Sequence, residues 1–133
     1  REPVTTNLHP MRAIQHPDIP TPAGHYSPIV EHGGVLYVSG QLPAEEDGAF
    51  PEGIEAQTLS ALGKVRGLVE AAGSRLEDII QVRIYVCDVE LWGAVNETYA
   101  GFFGAHRPAR IVVPTGPLHG GCLVEIEATA AAR

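Results

Sequence analysis

A chain of 133 residues with 44% apolar and 19% charged side chains is long enough for one domain with its own core, and needs no metal or disulfide staple. Nine basic against sixteen acidic side chains leave a formal net charge of −7, which opposes holding polyanionic RNA or DNA over a broad surface. Two cysteines cannot form a disulfide framework or a metal knuckle, which fits a reducing cytoplasm, and no apolar run or leader predicts a membrane span or signal peptide.

Five of the eleven prolines precede Gly24 and Pro28 follows it, which excludes a regular helix or central strand at the start of the chain. Residues 1–19 read as an extended arm over the surface of a domain spanning 20–133. Ile29–His32 and Val35–Ser39 flank Gly33-Gly34 and predict a tight hairpin. Beyond a polar loop, apolar residues from Ile54 to Ala72 recur at steps of three and four and stop at Gly73, the pattern of an amphipathic helix. Ile79–Cys87 then alternates, with Ile80, Val82, Ile84 and Val86 on one face and Gln81, Arg83, Tyr85 and Cys87 on the other.

Asp88 is a candidate N-cap for a second helix, whose apolar spacing from Leu91 to Phe103 buries Trp92, Tyr99, Phe102 and Phe103, half of the chain's aromatics. Arg110–Val113 and Cys122 to about Ala130 complete an order of ββαβαββ. This is an α+β domain with two helices on one face of a mixed sheet. The opposite face carries Arg83, Tyr85, Glu125 and Glu127, and strand alternation is read to add Arg110 and Val112. Apolar and oppositely charged groups mixed in this way predict a subunit interface, with the sheets turned inward in a closed homo-oligomer. Arg110 and Glu125, fifteen residues apart on what read as neighbouring strands, are the leading pair for chemistry. A guanidinium grips a carboxylate through two parallel hydrogen bonds, which suits recognition of a small acid.

Six segments, in order, resemble the RidA (YjgF) family of reactive intermediate deaminases. They are Pro22–Ser27, Val38–Pro43, Val69–Gly73, Val95–Tyr99, Pro108-Ala109-Arg110 and Val124–Ala128. The resemblance implies a chorismate-mutase-like fold assembled as a trimeric barrel, with active sites between subunits. It implies hydrolysis of 2-iminobutanoate- or 2-iminopropanoate-type imines, or their enamine tautomers, to 2-oxo acids and ammonia, with no cofactor. Such imines are released by pyridoxal-phosphate enzymes such as threonine dehydratase. By the same resemblance Arg110 binds the substrate carboxylate and Glu125 positions or activates water. Gly40 supplies backbone beside the substrate, and Tyr26 and Asn96 close the pocket.

Val112 stands where the family often has a cysteine, so only its backbone N–H is left to face substrate. His25 replaces a usual proline, and the loop from Thr115 to Gly121 departs from the commoner charged one. None of the six histidines makes an i,i+4 pair, so no metal site is expected. Cys122 is expected to turn toward the helices as a buried, inert thiol. Rival readings are a specialised deaminase of ring-cleavage products of the aminomuconate type and a non-catalytic protein that binds small oxo acids. RNA cleavage, ascribed to some relatives, is disfavoured by the charge and by the lack of an aromatic-basic stripe.

Overall fold

The computed structural model describes residues 10–133, so the first nine residues of the expected arm lie outside the described residues. Within the rest of the arm, Arg12–Ala13 forms a short strand, β1, antiparallel to β2 (Ile29–His32). The sheet therefore has six strands where five were expected. Ile14 and Ile19 of the arm pack against the core. β2 and β3 (Val35–Gln41) make the expected hairpin, in which Gly33 and Gly34 take φ values of 59° and 80°. Only glycine adopts two such left-handed conformations at little cost.

The first helix, α1 (Ile54–Ala71), buries Ala61, Leu62, Val65, Leu68 and Val69 along one stripe. β4 (Ile79–Val86) follows, then a 3-10 turn in which the Asp88 carboxylate accepts from the Glu90 N–H at 2.9 Å. Asp88 thus caps this turn, and α2 (Trp92–Phe103) begins behind it. β5 (Ala109–Pro114) and β6 (Val124–Ala131) complete the chain. The strand order is β1-β2-β3-β6-β4-β5, antiparallel throughout except for β4 and β5. That parallel pair is joined by α2, the crossover that parallel neighbours require.

Two expectations of burial need correction. Ile79, not Ile80, enters the core: Ile79 is 1% exposed and Ile80 49%, because the β4–β6 register shifts between Ile79 and Gln81. A bulge inserts one residue and reverses the alternation on its far side. Trp92 is 42% exposed, whereas Val95, Tyr99 and Phe103 are buried as their spacing predicts. The last strand alternates as expected, with Val124, Ile126, Ala128 and Ala130 buried under the helices. Cys122, 1% exposed, lies just before it, and burial pushes its thiol pKa up, so it is the inert thiol anticipated.

Candidate functional site

The structure separates the two leading residues. β4 lies between β5 and β6, so Arg110 and Glu125 are on strands two apart, roughly 10 Å across the sheet. They also face opposite ways. Arg110 pairs with the buried Val82 and Val112 with the buried Ile84, whereas Glu125 pairs with Tyr85. Ladder partners point to the same face, so Arg110 and Val112 point to the helix side and Glu125 to the uncovered side. The expectation of one shared face was wrong. Alternation couples residue 110 to 112 but leaves open which face the pair takes, and that phase depends on how β5 docks beside β4.

On the helix side, Arg110 is held by one stripe of α2. Its Nη1 donates to Asn96 Oδ1 at 2.9 Å, and its guanidinium carbon lies 4.9 Å from the Tyr99 ring centre and 5.6 Å from that of Trp92. Two aromatic rings at cation–π distance position the guanidinium and partly shield it from water. No carboxylate reaches it among the described residues. Asn96, Tyr99, Arg107 and Arg110 line a cavity of about 440 Å³. Tyr99 carries a buried hydroxyl with no hydrogen-bond partner among the described residues, and burial, opposed by the Arg110 charge, raises its pKa to about 12. Val112 packs its side chain against the core, so only its backbone is left for a ligand.

On the uncovered side, Glu125 sits against Gly40. A Cβ at Gly40 would come within 3.2 Å of the Glu125 carboxyl carbon and closer still to Oε2, so only glycine lets the carboxylate settle there. The register between β3 and β6 shifts between Val38 and Gln41, a bulge that re-aims the chain at this point. Tyr26, Ser39, Gly40, His119, Glu125 and Glu127 line a cleft of about 820 Å³. Glu127 is engaged by Arg83 at 3.4 Å, whereas Glu125 has no ion pair or side-chain hydrogen bond among the described residues. Of the six residues expected to form the site, Tyr26, Gly40 and Glu125 therefore come together on one side. Asn96 and Arg110 meet on the other, with Val112 next along the strand.

Sequence reasoning placed Asn96 at the pocket but missed the other two partners of Arg110. Trp92, Asn96 and Tyr99 fall at i, i+4 and i+7, a single helical stripe of which Trp92 and Tyr99 were expected in the core. It also missed Gln57, a buried side chain that donates to the Pro51 carbonyl at 3.0 Å and accepts from the Leu123 N–H at 2.8 Å. That clamp ties α1 to the entry of β6, two residues before Glu125. Among the described residues no cluster of His, Cys, Asp or Glu could hold a metal ion, and no helix is long and apolar enough to cross a membrane.

This two-helix, mixed-sheet domain belongs to the family described as Endoribonuclease L-PSP, which takes in the YjgF, RidA and RutC proteins and whose model matches residues 17–132. A RutC family protein of Pyrococcus horikoshii is 38% identical over 113 residues, which are 84% of this chain and 90% of that protein. The crystal structure of the YjgF gene product of E. coli is 35% identical, with a TM-score of 0.81 over 87% of this chain and 94% of that one. That of E. coli TdcF with bound serine is 30% identical, with a TM-score of 0.84 over 92% and 99%.

Proposed function

We propose that the protein is a cofactor-independent hydrolase of small 2-imino acids or their enamine tautomers. Each active site is assembled in a homotrimer from the Arg110 half of one subunit and the Glu125 half of the next. The observation that carries this reading is the Arg110 guanidinium, held by Asn96, Tyr99 and Trp92 yet meeting no carboxylate among the described residues. Such a group is a prepared receiver for a substrate carboxylate. The Glu125 carboxylate over Gly40, without an ion pair among the described residues, is its complement, and a second copy brings the two together because one chain holds them on opposite faces. The TdcF structure with bound serine lends support, since a relative of the same fold takes a small amino acid. Both described cysteines are unpaired, in keeping with a cytoplasmic setting.

The chemistry asks little of the protein, because a protonated imine is already electrophilic. Arg110 fixes the carboxylate of the 2-imino acid. Glu125 takes one proton from a water whose oxygen forms a bond to C2, giving a carbinolamine. That proton passes to the nitrogen, the C–N bond breaks, and ammonia leaves while the C2 hydroxyl loses its proton to become the oxo group. One water enters and one ammonia departs, with no change of oxidation state. RNA cleavage fits less well, since the cleft of Glu125 and Glu127 adds negative charge to a chain of net charge −7.

The test generates 2-iminopropanoate in situ from alanine and follows ammonia release. Arg110→Ala is expected to lower kcat/KM by about a hundredfold, the scale of losing a bidentate charge-assisted pair. Release at the wild-type rate would refute the reading, and oxo-acid affinity without any release would favour the binding protein.

A further inference from the structure

Arg107 stands apart from most of its kind in this chain. Arg12, Arg66, Arg83 and Arg133 each pair with a carboxylate, from Glu31, Glu70, Glu127 and Asp78 respectively. In a chain with sixteen acidic and nine basic side chains such pairing is the expected fate of an arginine. Arg107 makes no ion pair and no side-chain hydrogen bond among the described residues, and it lines the same cavity of about 440 Å³ as Arg110. No acidic residue among the described residues lines that cavity. His106, also at its wall, is turned away to the Ile79 carbonyl, 2.8 Å from its Nε2. Two guanidiniums thus share one cavity with nothing of opposite sign inside it.

We infer that Arg107 is a specificity-determining residue, and that the preferred substrates are 2-imino acids with a second carboxylate at the far end of the molecule. This rests on the deaminase reading, in which Arg110 takes the carboxylate next to the reacting carbon. The two arginines are three residues apart, at most roughly 10 Å along the backbone, and both line the one cavity. Arginine suits the role because its fork binds carboxylate in two parallel hydrogen bonds. Pro108 adds to this, since its ring fixes one backbone angle between the two guanidiniums.

The full chain is assayed with imines generated in situ from aspartate, glutamate and alanine. Wild type is expected to show at least about tenfold higher kcat/KM on the dicarboxylic imines, narrowing as salt rises. Arg107→Gln, a change at an exposed side chain, is expected to lower the dicarboxylic values at least about ten times more than the alanine-derived value, with Arg107→Lys recovering part of the difference. Equal losses on all three imines, or no loss, overturn the inference while leaving the deaminase reading intact. If no imine is hydrolysed, the deaminase reading fails. Calorimetric binding of 2-oxoglutarate against 2-oxobutanoate to wild type and Arg107→Gln then decides: an Arg107-dependent preference for the dicarboxylate sustains the inference, and its absence overturns it.

Discussion

Glu125 and Arg110 are held by different means. Glu125 lies on β6, hydrogen-bonded to β3 on one side and β4 on the other, and its carboxylate is seated by the bare backbone at Gly40. Arg110 lies on β5, an edge strand with a ladder on one side only, and is steadied by the Asn96 amide and the rings of Tyr99 and Trp92. A central strand gains its precision from main-chain hydrogen bonds, which side-chain changes hardly touch. At an edge the precision has to come from packing. The Glu125 side should therefore fail sharply when its backbone clearance is lost, and the Arg110 side by degrees as its supports are removed.

The division between subunits gives the largest expected effect. Arg110→Ala and Glu125→Gln proteins, each near background alone, are expected on joint unfolding and refolding to regain up to roughly a quarter of wild-type activity, because random assembly reunites intact halves. No regain would sink the shared site. Next comes Gly40→Ala, whose added methyl collides with the Glu125 carboxylate. Activity should fall about tenfold or more, while urea-measured stability changes by less than about 1 kcal/mol because the displaced group is the end of a flexible side chain.

A milder break is expected at Asn96, whose Oδ1 lies 2.9 Å from the Arg110 Nη1. Asn96→Asp places a built-in carboxylate on the guanidinium, so KM should rise about tenfold in steady-state kinetics while stability holds or improves. The smallest effect is at Tyr99. Tyr99→Phe keeps the ring under Arg110 and removes an orphan hydroxyl, so stability near neutral pH should change by less than about 1 kcal/mol, measured by thermal unfolding. Burial raises the Tyr99 pKa to about 12, above its ordinary value of 10.0. The stability tied to the neutral phenol is complete below pH 10 and drains away as pH rises toward 12, about 3 kcal/mol at most. Tyr99→Phe should lack that alkaline loss.

Much of the fold was legible in the chain. The Gly33-Gly34 turn, the three-four spacing of α1 and the alternation of β6 are local patterns, each set by the geometry of a single element. Gly40 was also legible through the resemblance of its segment, as was Asn96. The bulge at Ile79 was not, since nothing in the run Ile79-Ile80 says which isoleucine turns inward. Nor was the face of Arg110. Alternation has period two on every strand, and its phase is decided only when strands meet.

By itself, then, the sequence determined the two helices and five of the six strands, their order, the aliphatic core and the family, because these rest on spacing and residue type within single segments. Only the tertiary structure decided that β6 lies between β3 and β4, that Arg110 turns to α2 while Glu125 turns away, and that Arg107 shares the Arg110 cavity without a counter-charge. The physical reason is that strand neighbours and faces are chosen by the joint burial of distant segments. That choice costs loop entropy, gains apolar contact, and is written in no single stretch of the chain.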